Sequence, residues 1–201
     1  MSTVLNSEAS LRGRARKFTL PRFSEQKLKG EPIVMVTAYD STSAKLAQLA
    51  GVEVILVGDS VAMVCLGHST TLPVTLDEML HHAKAVSRGA QTPFLVGDLP
   101  FLSYHGTAQD AVLAAGRFLK EGGMDAVKLE GGSERIEAVK AIVEAGIPVM
   151  GHLGLTPQKV RSFGAAPHSH HRYRCGPGMR RPSVGVARSS RDGRRFRASL
   201  C

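Results

Sequence analysis

Five ionisable side chains stand at or near the ends of short apolar runs, in positions from which they could hold a cation and an acidic small molecule. They are Asp40, Asp59, Asp98, Glu130 and His152, and Lys128 lies two residues before Glu130. In the run DAVKLEGG (125–132), strand alternation puts Lys128 and Glu130 on the face opposite two apolar side chains. A buried ammonium requires a carboxylate partner or an anionic ligand, whereas the oxygens of Asp59, Asp98 and Glu130 suit Mg²⁺. Neither paired cysteines nor an H-E-x-x-H motif indicates zinc.

Each of these positions also has a simpler structural explanation, and the residues alone leave it open. Asp40 and Asp59 each precede a serine, so either could cap the next helix by accepting hydrogen bonds from its first amides. Lys128 could pair with Glu130 on the same face, and His152 could bond to a backbone carbonyl in the core. A polar residue at the end of every apolar run nevertheless favours one shared site, because parallel αβ proteins bind ligands at the carboxyl ends of their strands.

The elements that would position these side chains follow an alternating pattern from about residue 31 to residue 164. The predicted strands lie in the runs PIVMVTAYD, VEVILVGD, PFLVGDLPF, DAVKLEG and IPVMGHLG. Two of the helical patterns between them begin at a capping residue, Ser41 or Thr75, and two more, TAQDAVLAAGRFLKEGG and SERIEAVKAIVEAG, close on glycine. Strands separated by helices predict a parallel sheet of the α/β class, since a parallel neighbour requires a crossover.

Composition indicates one soluble domain. The chain has 201 residues, of which 43% are hydrophobic, and it contains neither an apolar run long enough to span a membrane nor a secretory signal. Its three cysteines (Cys65, Cys175 and Cys201) form no C-x-x-C pair, so we expect reduced thiols in the cytoplasm. The arginine-rich start of the chain leaves a mitochondrial location as the alternative.

The positive charge is confined to the end of the chain. Residues 1–160 contain 16 Lys or Arg and 16 Asp or Glu, whereas residues 161–201 contain ten arginines and one acid. The segment after Gly164 has neither helical nor strand periodicity, which predicts disorder. Such a tail could bind nucleic acid through its guanidinium groups, could be a solvated segment without a role, or could result from translation in a shifted frame.

Several segments together resemble the signatures of the ketopantoate hydroxymethyltransferase family. They are VTAYD, LVGDSVAMVCLGHSTTLPVTLDEML, VGDLPF, VKLEGG and GHLGLTPQ, within residues 18–164. The resemblance implies a (β/α)₈ TIM barrel that transfers a hydroxymethyl group from 5,10-methylenetetrahydrofolate to 3-methyl-2-oxobutanoate, giving 2-dehydropantoate. It therefore implies an enzyme of pantothenate and coenzyme A biosynthesis, with Mg²⁺ as cofactor, a folate as co-substrate and a large homo-oligomer as the assembled form.

The resemblance also implies a role for each matching residue. The metal-binding positions are matched by Asp59, Asp98 and Glu130. The ketoacid-binding positions are matched by Ser60, Lys128, Asp59 and Asp98. His152 matches a histidine in the same pocket, to which we assign a catalytic role, and Tyr39 lies nearby. A cation would ease removal of the proton beside the ketone, and the resulting carbanion would attack the one-carbon unit of the folate.

The chain departs from the family after GHLGLTPQ. The general base of the family is a glutamate on a later strand, to which no residue here corresponds, and three further βα units and the folate-binding loops have no counterpart. We therefore expect a barrel truncated to about five βα units, with an open sheet edge, and no activity.

Three segments are predicted: a flexible N-terminal arm (1–17), a partial TIM-barrel catalytic domain (18–164) and an Arg-rich disordered tail (165–201). We interpret the tail as the product of a frame shift near Gly164.

Two other functions stay open. One is a non-catalytic fragment whose tail binds nucleic acid, and the other is a related Mg²⁺-dependent barrel enzyme acting on phosphoenolpyruvate or another 2-oxo acid. The folate-binding residues stay unassigned.

Overall fold

The computed structural model describes residues 16–154, 156–161 and 185–187, and within them the chain forms one six-stranded sheet. The strands are β1 (Met35–Thr37), β2 (Val54–Val57), β3 (Phe94–Asp98), β4 (Ala126–Glu130), β5 (Val149–His152) and β6 (Gly185–Ala187). The first five are parallel, and each pairs with the next strand in the chain. The predicted strand runs and the α/β class are therefore confirmed.

Helices connect the parallel strands. They are α1 (Leu20–Lys29), α2 (Ser41–Leu49), α3 (Val61–Val64), α4 (Leu76–Gly89), α5 (Ala108–Lys120) and α6 (Ile136–Glu144), with short 3₁₀ turns at Ser133–Arg135 and Pro157–Lys159. Helix α4 begins with a reciprocal capping box between Thr75 and Glu78, and α5 begins with one between Thr107 and Asp110. The start predicted at Thr75 is therefore confirmed, whereas α1 and α3 were not predicted.

Asp40, and not Ser41, caps helix α2. One oxygen of the Asp40 carboxylate accepts hydrogen bonds from the amides of Thr42 and Ser43, each at 2.8 Å. Ser41 is the first residue of the helix itself, so the prediction of a capping serine is wrong by one position. The capping explanation of Asp40 is the correct one, because these bonds hold its carboxylate against the helix start.

The two faces of the sheet are packed differently. Val127 and Leu129 of β4 belong to the buried core between the sheet and the helices. Ala126 of the same strand joins a second apolar cluster on the opposite face, together with Phe94 and Val96 of β3. Lys128 therefore shares the face of this second cluster, as strand alternation predicts, and it lies toward the carboxyl end.

Close contact between β3 and α5 depends on a glycine. A Cβ built on Gly97 would lie 2.3 Å from a ring carbon of Phe118, closer than real side-chain contacts allow. Phe118 is fully buried on α5, so its ring packs directly on the backbone of β3. This contact fixes the helix over the strand that ends in Asp98.

Strand β6 corrects one prediction about the tail. Gly185–Ala187 pairs antiparallel with Val149–Gly151 at the edge of β5, so these three residues form a strand where disorder was predicted. A physical reason is that the short run around Val186 lacks charge and can satisfy the exposed backbone groups of the edge strand. The rest of the predicted tail lies outside the described residues, as do residues 1–15 of the predicted N-terminal arm.

Lys17 is the described end of the predicted flexible arm, and it is fixed. Its ammonium forms an ion pair with Asp125 at 2.6 Å and donates to the carbonyl of Pro93 at 2.8 Å. These bonds hold Lys17 against the amino ends of β3 and β4, and the boundary of the arm at residue 17 stays a prediction. Cys65 is exposed and in no disulfide, whereas Cys175 and Cys201 lie outside the described residues. Within the described ranges, no helix has the length and apolar character needed to cross a membrane.

Candidate active site at the carboxyl ends of the strands

Asp98 and Lys128 form a buried ion pair across strands β3 and β4. The two residues are register partners, and Lys128 Nζ lies 2.8 Å from Asp98 Oδ1. Their side chains are 2% and 10% exposed, so little water screens the pair. The alternative that Lys128 pairs directly with Glu130 is wrong, because the register aligns Lys128 with Asp98 while Glu130 lies two residues further along β4.

Asp59 joins this pair from the end of β2. Its backbone N–H donates to Asp98 Oδ2 at 3.2 Å, and its own Oδ2 accepts from Gln158 Nε2 at 2.9 Å. The Asp59 side chain is buried and makes no capping bond, and Ser60, the cap residue of α3, makes none either. Helix capping therefore does not explain Asp59, and its carboxylate belongs to the cluster.

Glu130 and His152 form the second register pair, across β4 and β5. His152 Nδ1 lies 3.1 Å from Glu130 Oε1, and Glu130 Oε2 accepts from the backbone N–H of Gln158 at 3.0 Å. The core alternative for His152 is wrong, because the ring bonds to a carboxylate and is 34% exposed. One nitrogen of the imidazole is therefore fixed by Glu130, which leaves Nε2 for another partner.

Burial dominates the electrostatics of the cluster. It raises the pKa of Asp98 to about 7, against the opposing charge of Lys128. It also raises the pKa of Asp59, opposed by the hydrogen bond from Gln158 and by Lys128. For Lys128, burial lowers the pKa, but the surrounding carboxylates outweigh it and the net pKa is raised. Three carboxyl groups thus face one ammonium, and a further cation would stabilise their charged forms.

Ser60 and Tyr39 lie beside the carboxylates. Ser60 Oγ is 2.8 Å from the Tyr39 hydroxyl, and the Tyr39 carbonyl is 2.7 Å from His82 Nδ1. A Cβ built on Gly58 would lie 3.0 Å from Ser60 Oγ and 3.8 Å from Asp98 Oδ2. Because residue 58 is glycine, the space between the serine hydroxyl and the carboxylate stays open.

Sequence reasoning missed two buried residues of the site, Gln158 and Tyr104. The Tyr104 hydroxyl donates to Gln158 Oε1 at 2.7 Å and accepts from the backbone N–H of Glu130 at 3.2 Å. Gln158 closes the segment GHLGLTPQ, which carries the family resemblance, and that was the one available signal. Tyr104 lies in the loop after β3, where no spacing rule identifies it.

The predicted metal ligands converge, but each carboxylate already has a partner within the protein. Asp98 contacts the Lys128 ammonium, Asp59 contacts the Gln158 side chain, and Glu130 contacts the His152 ring and the backbone N–H of Gln158. Among residues 16–154 and 156–161, no group of three or more His, Cys, Asp or Glu side chains has a metal-binding arrangement. The roles assigned to Asp59, Asp98 and Glu130 as ligands therefore stay predictions.

Comparison with known protein families identifies the family of this chain. Residues 17–171 match the family model described as ketopantoate hydroxymethyltransferase. The chain belongs to the ketopantoate hydroxymethyltransferase family. The resemblance inferred from the sequence motifs is confirmed, and it covers the strands that carry the site.

Similar relatives are named 3-methyl-2-oxobutanoate hydroxymethyltransferase. The protein of Moorella thermoacetica is 59% identical over 148 residues, which cover 74% of this chain and 55% of that relative. The protein of Clostridium botulinum strain Langeland is 58% identical over 146 residues, which cover 73% of this chain and 53% of that relative. The chain thus spans about half the length of the curated relatives it matches.

Two solved structures share the fold. Oxaloacetate acetylhydrolase in complex with 3,3-difluorooxalacetate has a TM-score of 0.51 and 15% identity, and the match covers 66% of this chain and 51% of that chain. Phosphonopyruvate hydrolase in complex with oxalate and Mg²⁺ has a TM-score of 0.50 and 16% identity, with 58% and 44% covered. The parallel βα units are therefore part of a (β/α)₈ barrel.

Proposed function

We propose that this chain binds Mg²⁺ and 3-methyl-2-oxobutanoate at the carboxyl ends of its parallel strands. It would take part in the cytoplasmic transfer of a hydroxymethyl group from 5,10-methylenetetrahydrofolate that gives 2-dehydropantoate. The observation that carries the proposal is the buried cluster of Asp59, Asp98, Lys128 and Glu130. Family membership and the names of the relatives support this choice of substrate.

The carboxylate oxygens of the cluster suit Mg²⁺ chemically, although the described His, Cys, Asp and Glu side chains form no ready-made group of three ligands. Asp59, Asp98 and Glu130 supply hard carboxylate oxygens at the carboxyl ends of neighbouring strands. Among the described residues, Lys128 is the sole ammonium that faces them. Asp98 Oδ1 is buried and, although it lies 2.8 Å from Lys128 Nζ, accepts no hydrogen bond of good geometry within the described part of the chain. A divalent cation would offset the excess negative charge that burial disfavours.

Each side chain has a definite task in binding the ketoacid. The Lys128 ammonium would attract the substrate carboxylate and is kept charged by its carboxylate neighbours. Ser60, oriented by the Tyr39 hydroxyl, would donate a hydrogen bond to the same substrate. When bound, Mg²⁺ would withdraw electron density from the keto oxygen and so acidify the neighbouring C–H.

His152 is the described residue best placed to handle a proton. Its Nδ1 lies against Glu130, which fixes the ring, and its partial exposure leaves Nε2 accessible to a bound ligand. We propose that complete hydroxymethyl transfer also requires the glutamate that the family carries on a later strand, together with the groups that bind the folate. Ketoacid binding is therefore the step that this chain's described residues support directly.

A paramagnetic binding experiment tests the proposal. In the presence of the chain and Mn²⁺ in place of Mg²⁺, the proton signals of 3-methyl-2-oxobutanoate should broaden, because the ketoacid and the metal would share one site. The variant K128M should weaken ketoacid binding at least about tenfold, since it removes a charge-assisted contact. D59N should weaken Mn²⁺ binding itself, because a carboxylate ligand becomes a neutral amide.

The matched control for D59N is D125N, the same chemical change at the amino end of β4. It should leave both binding constants within about twofold of the parent, because charge effects weaken with distance. If Mn²⁺ binds but the proton signals of the ketoacid do not broaden, the proposed substrate is wrong. If the parent chain binds no Mn²⁺, the proposed metal site is wrong.

A further inference from the structure

Gln158 connects the loops at the carboxyl end of the sheet. It is 4% exposed and lies in the 3₁₀ turn Pro157–Lys159 after β5. Its side-chain Nε2 donates to Asp59 Oδ2 at 2.9 Å and to the carbonyl of Leu99 at 3.1 Å. Its backbone N–H donates to Glu130 Oε2 at 3.0 Å. One residue therefore holds two of the carboxylates that the proposed function assigns to the metal.

Tyr104 determines which way the Gln158 amide points. The tyrosine hydroxyl donates to Gln158 Oε1 at 2.7 Å, so the oxygen end of the amide is occupied and the NH₂ end must face Asp59. The same hydroxyl accepts from the backbone N–H of Glu130 at 3.2 Å. Both N–H bonds of the amide and its oxygen thus have partners, and flipping the amide would set oxygen against the Asp59 carboxylate.

A neutral donor suits this position better than a charged one. Lys128 already neutralises part of the negative charge, and a second cation here would compete with a metal ion for Asp59. The amide fixes Asp59 Oδ2 by a hydrogen bond and adds no net charge. Gln158 therefore holds the Asp59 carboxylate through Oδ2 and does not bind Oδ1. A metal ligand needs this combination of a fixed orientation and an oxygen that the orienting residue does not use.

We propose that Gln158 is a positioning residue that fixes the Asp59 and Glu130 carboxylates for divalent-cation binding, with Tyr104 holding its amide in the required orientation. This inference rests on the proposed function, because it concerns the same metal site. Gln158 would act through the two carboxylates that it holds, and no direct role at the substrate is assigned to it.

Direct measurement of Mn²⁺ affinity by electron paramagnetic resonance tests the inference without requiring turnover. The substitution Gln158→Met keeps the length of the side chain and removes both donors and the acceptor. The dissociation constant for Mn²⁺ should rise about 10- to 100-fold, the usual effect of losing a partner that orients a metal ligand. Tyr104→Phe keeps Gln158 but removes the hydroxyl that orients its amide, so it should also raise the dissociation constant for Mn²⁺. If Q158M does not fold, Y104F serves as the test.

Gln48→Met is the matched control. Gln48 is also a glutamine with a bonded side chain, since its Oε1 accepts from the amides of Gln91 and Thr92 at the amino end of the sheet. Q48M should lower the melting temperature and leave the Mn²⁺ constant within about twofold of the parent, because it lies far from the metal site.

The outcomes separate the inference from the function on which it rests. Unchanged Mn²⁺ affinity in folded Q158M, or in Y104F when Q158M does not fold, would overturn the role of Gln158 while leaving the metal site standing. An equal loss of affinity in Q48M would also overturn it, because a general loss of stability would then explain the effect. A parent chain that binds no Mn²⁺ would refute the metal site itself.

Discussion

Asp98 is the residue at which burial and charge oppose each other most strongly. It is almost fully buried, its closest cation is Lys128, and the Asp59 carboxylate lies beside it. Burial raises the pKa of Asp98 to about 7 even with Lys128 in contact. A carboxyl group in this state is costly to ionise without a further positive charge, and it therefore couples the stability of the fold to pH and to cations.

The substitution D98N should change how stability depends on pH. Between the unfolded pKa of about 3.9 and the folded pKa of about 7, the native chain binds a proton at Asp98 that the unfolded chain does not. In metal-free buffer the free energy of unfolding of the parent should therefore contain a contribution that falls as pH rises through this range, by up to about 1.4 kcal/mol per pH unit. Urea unfolding of both proteins between these pH values measures it, and equal slopes would contradict the prediction.

The Asp40 carboxylate, unlike that of Asp98, has a structural role, because it caps helix α2. The substitution D40A should lower the free energy of unfolding by about 1 kcal/mol, since two amides at the start of α2 lose their acceptor. D40S should restore most of the loss, because serine is also a good cap. Mn²⁺ affinity should be unchanged in both variants, and a loss of metal binding in D40A would place Asp40 in the site after all.

At the scale of elements, capped helices and close helix-to-strand packing hold the strand ends together. Helices α4 and α5 each begin with a capping box, which fixes where the preceding loop ends. Helix α5 then packs through Phe118 onto Gly97, one residue before Asp98. The position of the buried carboxylate therefore depends on the absence of a side chain at residue 97.

Two glycine-to-alanine substitutions should have opposite effects on stability. G97A should lower the free energy of unfolding by about 1–3 kcal/mol, because the new methyl group would overlap the Phe118 ring. G116A should raise it by roughly 0.5–1 kcal/mol, because Gly116 lies inside α5, where an added Cβ would meet no atom within 4 Å, and alanine favours a helix. Denaturant unfolding of both variants gives the comparison, and two changes of the same sign would contradict the packing described.

At the scale of the whole molecule, the described sheet is open. Strand β1 stands at one edge with Val34 and Met35 partly exposed, 50% and 38% respectively, and β6 covers the other edge. The match covers about 55% of the Moorella thermoacetica relative, and closure of a barrel requires further strands. The proposed transfer reaction would need both the closed barrel and the glutamate of a later strand.

A chimera tests this requirement. Residues 1–164 of this chain, followed by the later part of the Moorella thermoacetica protein, should support growth of a pantothenate-requiring strain, because the barrel could close and the glutamate base that the family resemblance implies would be supplied. The chain as given should not support growth. Growth with the chain alone would show that the later strands are dispensable, and failure of the chimera despite soluble expression would count against the proposed activity.

The interpretation of the Arg-rich segment as a shifted frame also stays a prediction at this scale. Reading the gene in the other two frames beyond Gly164 should yield a Gly-Gly-aromatic segment followed by three further βα units. If neither frame contains them, the interpretation is wrong. Deletion of residues 165–201 separately tests the nucleic-acid alternative, since any salt-sensitive binding through the tail should then disappear.

The sequence by itself determined the five parallel strands, the start of helix α4, the family and the edge of the sheet at which the polar residues meet. These follow from local patterns, namely alternation within a strand, caps beside a helix, and the common direction of parallel strands. The tertiary structure decided which side chains bond. Strand register joined Lys128 to Asp98, and packing brought Gln158 to Asp59, 99 residues away. No local pattern encodes such contacts, because they depend on how strands and loops distant in sequence pack together.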